Sequence, residues 1–238
     1  MTLPPIDSSA LREWDRIAAG AVTTGVKRRT AWHLLLLRLV AQALLVALLP
    51  FLVLVKVAVF LYTREGYATV LALAGGTACT VAIVTGYAAL VWHRFTGRVR
   101  LALIARRFAL PLVVAYCGYA LIYLSSANAK SERVRAYYAS LHPLLRVALS
   151  TLILVDRDAV ITDLARRPED YQTMGLPPND GSLHYVQRDG YAHAADLRTA
   201  GRGLAENRLI QLYFWSMGFG TLRHVGTGDH LHVELPAR

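Results

Sequence analysis

Residues 33–62 read HLLLLRLVAQALLVALLPFLVLVKVAVFLY, an apolar run broken by few polar side chains. A bilayer-crossing helix needs about 20 mostly apolar residues, so this stretch is long enough to span. Its two cations stand where a spanning helix tolerates them. Arg38 and Lys56 lie 18 positions apart, about 27 Å at helical rise, so each can reach an opposite surface. The run holds no turn residues, and Pro50 fits a kink within one tilted helix better than the turn of a hairpin.

Two more apolar stretches, 67–92 and 108–125, follow it. The first run is too long for a secretory signal peptide and lacks a small-residue cleavage site before the next. Three spans are therefore expected within residues 1–130, a membrane domain, with residues 131–238 forming a soluble domain outside the bilayer.

The net charge of +10 is unevenly placed: residues 1–130 carry 14 Lys/Arg and 4 Asp/Glu, and residues 131–238 carry 12 of each. The neutral second half is not a polyanion-seeking domain, so no nucleic-acid partner is expected. The basic residues of the first half cluster at Arg12, Arg16, Lys27, Arg28 and Arg29, and again at Arg94, Arg98, Arg100, Arg106 and Arg107. Lysine and arginine beside span ends stay cytoplasmic. With three spans, both clusters agree on a cytoplasmic amino terminus and an extracytoplasmic chain after residue 125. Cys79 and Cys117 both lie in the spans and read as small packing residues. The Gly75-Gly76 pair and Gly86 read as helix-packing surfaces.

In residues 131–238 the spacing predicts a helix over 141–154, a strand over 155–162, a loop over 174–181, a strand pair over 182–197, an amphipathic helix over 207–217 and a strand over 230–235. That order predicts an α+β domain with an antiparallel sheet.

Six of the eight histidines, at 142, 184, 193, 224, 230 and 232, fall in this region. His230 and His232 are two apart on a predicted strand and share a face. Three sequence elements read together sharpen the pattern: Ser182-Leu-His184, Ala192-His-Ala-Ala-Asp196-Leu and Asp229-His230-Leu-His232. A catalytic zinc site uses three protein ligands from His, Asp or Glu and keeps a fourth position for water, and His184, Asp196 and His232 supply such a set.

These elements resemble the zinc D-Ala-D-Ala peptidase group, which includes the penicillin-insensitive murein endopeptidases and the amino-terminal domain of hedgehog proteins. The resemblance covers roughly residues 141–235 and says nothing of the membrane half. It implies a zinc D-Ala-D-Ala peptidase-like fold, with His184, Asp196 and His232 as Zn2+ ligands and Arg166 or Arg167 as the family's arginine. The sequence departs from the pattern in one spacing: His184 and Asp196 are twelve residues apart where the family has seven. A hairpin at 187–190, with the favoured Asp-Gly turn, would absorb the difference. The alternative ligand is His193.

The resemblance further implies a membrane-anchored metallopeptidase. Its zinc would activate water for hydrolysis of a peptidoglycan stem-peptide amide, on the periplasmic face of a bacterial inner membrane. Asp229, three before the last ligand, takes the family's acid position as proton carrier, and His230 would hydrogen-bond the water or the developing oxyanion. The competing expectation is a non-catalytic, zinc-stabilised module that holds a peptide or carbohydrate.

Overall fold

The computed structural model describes residues 8–173, 175, 177, 179, 181–226 and 228–236. The loop expected over 174–181 falls largely outside them. The chain divides into two compact units, Met1–Leu49 and Pro50–Arg238.

Three helices are long and apolar enough to cross a membrane. The first is the continuous helix α1, Ser8–Thr63, with Pro50 inside it. The second is α2, Thr69–Thr96, and the third is α3, Leu101–Ile122. The third begins earlier than its hydropathy suggests. Arg106 and Arg107 sit inside a π-helical turn, Ala105–Ala109, rather than in a loop, because long arginine side chains can leave an apolar helix for the interface without ending it. Gly76 brings α2 against α1: a Cβ there would lie 2.5 Å from the Leu54 carbonyl oxygen, and Thr80 Oγ1 donates to the Pro50 carbonyl at 2.9 Å. Gly86, by contrast, has open space where a Cβ would stand.

Helix α4, Pro143–Val155, follows the short helix Glu132–Ala136. It is apolar almost all round, and every residue from Pro143 to Leu152 is buried. A helix of that kind needs cover on all sides, and the spans supply part of it. Tyr116 of α3 hydrogen-bonds Thr151 at 2.6 Å. Tyr138 donates its hydroxyl to the Ala120 carbonyl at 2.7 Å, and burial pushes that phenol up to about 12 despite the Ser150 hydrogen bond. The Arg146 guanidinium donates to Leu121 O at the carboxy-terminal end of α3, where carbonyl dipoles favour a cation. Residues on both sides of position 130 thus share one core.

Beyond α4 come β1 (Ile161–Asp163), the short helix Pro168–Thr173, β2 (Ala194–Arg198), α5 (Leu204–Met217), β3 (Gly220–His224) and β4 (His230–Glu234). The strands form one sheet, order β1-β2-β4-β3, and every pair is antiparallel. Two expectations shift. Residues 155–160 are not strand, because α4 runs to Val155 and Asp156 then takes an ion pair from Arg202. The strand pair over 182–197 reduces to β2 and a single bridge, Val186 to Ala192. The turn between those two residues closes with Gly190 N donating to Gln187 O at 3.0 Å, and Gly190 adopts φ +86°.

Because α4 is buried from Pro143 to Leu152, deletions there should be costly. Leu149→Ala, at a fully buried position, should destabilise the detergent-solubilised chain by about 2–5 kcal/mol. Leu154→Ala, half exposed on the same helix, should cost less than ~1 kcal/mol. Denaturant unfolding followed by near-UV circular dichroism measures both.

Candidate metal centre

Strand β4 alternates cleanly. Leu231 and Val233 are buried in the core, so His230, His232 and Glu234 share the opposite face. Strand β2 sets Asp196 opposite His232 and Arg198 opposite His230. From β3, His224 lies opposite His230 and Leu222 opposite His232. One sheet face therefore carries the histidines, and the other packs on the core.

His184 reaches this face from a loop fixed by its own backbone. Ser182 Oγ accepts from the His184 amide at 3.3 Å and from the Tyr171 hydroxyl at 2.6 Å. The Arg166 amide donates to His184 O at 2.9 Å. The result is a convergence on Asp196, which is only 3% exposed. His232 Nδ1 lies 2.9 Å and His184 Nε2 3.3 Å from Asp196 Oδ1. Arg166 donates to Asp196 Oδ2 at 2.9 Å, and His230 Nε2 stands 3.7 Å from the same oxygen. Burial works to raise the Asp196 pKa, but the hydrogen bonds from His184 and His232 outweigh it and hold the carboxyl far below its usual range.

The remaining ring nitrogens decide what this convergence can do. His184 Nδ1 faces the Leu164 carbonyl, which can only accept, so that nitrogen holds a proton, and a metal ion could take the place of the proton that Nε2 directs at Asp196. His232 Nε2 lies 3.3 Å from Glu234 Oε2, an acceptor that fixes the proton there when Nδ1 serves as a ligand. Histidine ligands of metals almost always donate their other N–H to a carbonyl or carboxylate in this way. The one nitrogen of His184, the one of His232 and an Asp196 oxygen lie within 4.8 Å of one another, and the donor set suits a borderline divalent ion. They open on a cleft of about 610 Å³ whose lining includes Tyr171, Leu222 and His224. A second cleft, of about 530 Å³, shares Arg166, Asp196 and His230 with the first and adds Lys130 and Arg198.

A second group of similar composition, His142, Asp189 and His193, also places ligand atoms within 4.8 Å. Its tautomers differ. His142 Nδ1 accepts from the Leu144 amide at 3.3 Å as the helix cap of α4, which puts the proton on Nε2, near Thr69 Oγ1 at 3.0 Å and Asp189 Oδ2 at 3.6 Å. His193 Nε2 lies 2.9 Å from Asp189 Oδ2, and its buried Nδ1 has no hydrogen-bond partner. His142 thus joins α2 to the start of α4 by hydrogen bonds, with Asp189 beside it and hydrogen-bonded to His193, and the His142 nitrogen that faces Asp189 carries a proton instead of a lone pair.

Of the residues singled out in the sequence, His184, Asp196 and His232 come together, and His193 goes to the other group. Arg166, not Arg167, reaches Asp196. Asp229 lines the cleft with His230, but its carboxylate accepts from Thr199 Oγ1 at 2.5 Å and from Arg223 Nη2 at 3.0 Å. Those bonds, that of Arg223 foremost, lower its pKa. Glu234 and His224 were missed by sequence reasoning. The alternation that paired His230 with His232 extends one step further, to Glu234.

Comparison with family models, with curated proteins and with solved structures finds no match to this chain.

The full-length protein should bind one divalent ion at this centre, and His232→Ala and His184→Ala should abolish binding while His193→Ala should not, as read by metal analysis after dialysis. Glu234→Gln should weaken binding about 10- to 100-fold, the usual effect of losing such a support. Affinity should also depend on pH. The hydrogen bond to Asp196 raises the His232 pKa above its ordinary 6.5, against the opposing effect of burial. A ligating His232 must be unprotonated, so below that raised pKa affinity should fall about tenfold per pH unit, starting at a higher pH than an isolated imidazole would give. Competition titration with a chelating dye from pH 5 to 9 measures this.

Proposed function

We propose that the chain is a membrane-anchored, zinc-dependent peptidase that hydrolyses amide bonds of peptidoglycan stem peptides on the outer face of a bacterial inner membrane. The observation that carries this reading is the placement of the two histidines: each has its outer nitrogen tied to an acceptor, Leu164 O or Glu234, and its inner nitrogen aimed at Asp196. A two-histidine, one-carboxylate set leaves coordination positions open, as catalytic zinc sites do. The charge clusters set the carboxy-terminal half outside, where cell-wall peptides are found.

Zinc held there supplies Lewis acidity, polarising a scissile carbonyl and making water acidic near neutral pH. The chain supplies the rest. Arg166 and the two histidines keep Asp196 ionised and oriented. His230 is the stronger candidate for moving the proton: its Nδ1 faces the Gly228 carbonyl and so holds a hydrogen, leaving Nε2, 3.7 Å from Asp196 Oδ2, as the nitrogen that can take up and release a proton. Its ring stacks on His224 at 4.7 Å, which restrains its orientation. Asp229 is less suited as a base, since its hydrogen bonds with Arg223 and Thr199 stabilise the carboxylate against accepting a proton. That same engagement favours the second reading, a zinc-bearing module that binds a peptide without cutting it.

Digestion of purified muropeptides by the full-length, zinc-loaded protein, with and without chelator, separates the two. On the peptidase reading, His230→Ala keeps one zinc but lowers kcat about 10²-fold or more, while Asp229→Asn has a smaller effect. Binding of muropeptides without cleavage by the loaded wild type would establish the module instead. Orientation has its own test: a reporter at the carboxy terminus should be active only outside the cytoplasm, and one inserted at Arg100 only inside.

A further inference from the structure

Helix α5 presents apolar side chains on both of its sides. Ile210 and Phe214 are buried in the core, yet Leu209, Leu212 and Trp215 are 65%, 54% and 68% exposed. The exposed three follow one another at i, i+3 and i+6, a single stripe on the helix surface. On a helix facing water that stripe would be polar.

The carboxy-terminal end of α5 is held beside the first span. Lys56 Nζ donates to the Ser216 carbonyl at 2.7 Å. At Gly218, the αL cap of α5, a Cβ would lie 3.2 Å from Val59 Cγ1. Lys56 lies seven residues before the end of α1 at Thr63, about 10 Å along the axis. It is one of two cations, with Arg38, in a mostly apolar span, and such side chains settle at the boundary between hydrocarbon and headgroups. Its partner Ser216 therefore lies at that level, with Trp215 adjacent in sequence. Tryptophan is enriched at this depth. Phe60, also exposed, continues the apolar surface from the span.

We infer that α5 is an interfacial helix, whose Leu209, Leu212 and Trp215 are embedded in the acyl boundary of the bilayer. The occupant of the stripe is lipid, because the stripe is continuous with a membrane span at the level of Lys56. The sheet follows α5 directly through Phe219, which is buried against Phe214 at a ring distance of 5.8 Å. The embedded helix thus fixes the histidine-bearing sheet close to the membrane surface. This inference does not depend on whether the centre is catalytic.

The test uses the full chain in lipid nanodiscs, with Trp14, Trp32 and Trp92, all exposed, replaced by phenylalanine so that Trp215 alone reports. Interfacial helices bury their apolar face about 5–10 Å, so phospholipids brominated high on the acyl chain should quench Trp215 by about half. Aqueous iodide should quench it little, and Leu212→Glu should reverse that order. As an independent reading, a nitroxide on Leu212→Cys, with Cys79 and Cys117 changed to alanine, should be open to dissolved oxygen and shielded from a water-soluble nickel complex. Full iodide quenching of Trp215 with no effect of brominated lipid, or a nitroxide freely reached by nickel, would overturn the inference.

Discussion

The carboxylate of Asp196 is buried on a strand, and the arrangement of the sheet face follows from the need to compensate it. An ion withdrawn from water loses several kcal/mol of solvation unless partners replace it. Here the partners come from separate parts of the chain: Arg166 from the segment after β1, His184 from the loop before β2, His230 and His232 from β4. Three of them are histidines, so the compensation is adjustable. A proton on His232 and a divalent ion between His184, His232 and Asp196 are alternative ways to balance the same charge. Glu234 suits both, accepting the His232 Nε2 proton in either state.

A second constraint sets where this face can be. Helix α4 has no polar side to offer water, so it is enclosed by α3, by α5 and by the loops, with Tyr213 donating to Ala148 O at 2.9 Å on one side and Tyr116 bonding Thr151 on the other. The part bearing the sheet is therefore built onto the spans and does not hang from a linker. Separating it at residue 130 would expose an apolar helix that aggregates in water, so the intact chain is the proper object for any assay of the centre.

Much of this was legible in the sequence. Hydropathy located three helices long and apolar enough to cross a membrane, and alternation in HLHVEL set His230 and His232 on one face. What escaped it has definite causes. Hydropathy averages over arginines, so Arg106 and Arg107 appeared to break α3, although a helix with snorkelling side chains runs through them. The spacing located α4 as a helix but not its enclosure from Pro143 to Leu152, since that run has no polar stripe to show which side faces water and is shorter than a span. The choice between His184 and His193 turned on a twelve-residue spacing that no motif settles, although strand geometry offered a hint: His193 and Asp196 are an odd number of positions apart, which in extended chain sends their side chains to opposite faces. The neutralisation of Asp229 was beyond reach, because Arg223 comes to it only through the pairing of β3 with β4.

The two His-Asp-His groups show why composition and proximity are a weak guide to metal binding. Both bring ligand atoms within the same distance of one another. In one, the acceptors Leu164 O and Glu234 can each hold a proton on an outer nitrogen, so a metal ion can replace the protons that the inner nitrogens direct at Asp196. In the other, the Leu144 amide occupies the outer nitrogen of His142 and drives its proton inward, toward Thr69 and Asp189. Metallating that inner nitrogen would move the proton outward, setting two donors, the Leu144 N–H and the ring N–H, against each other at the first turn of α4. The cost would fall on the element that the core encloses most completely. The same three residue types can therefore serve as a ligand set at the sheet face and as a structural clasp beside α2, according to what stands behind each ring.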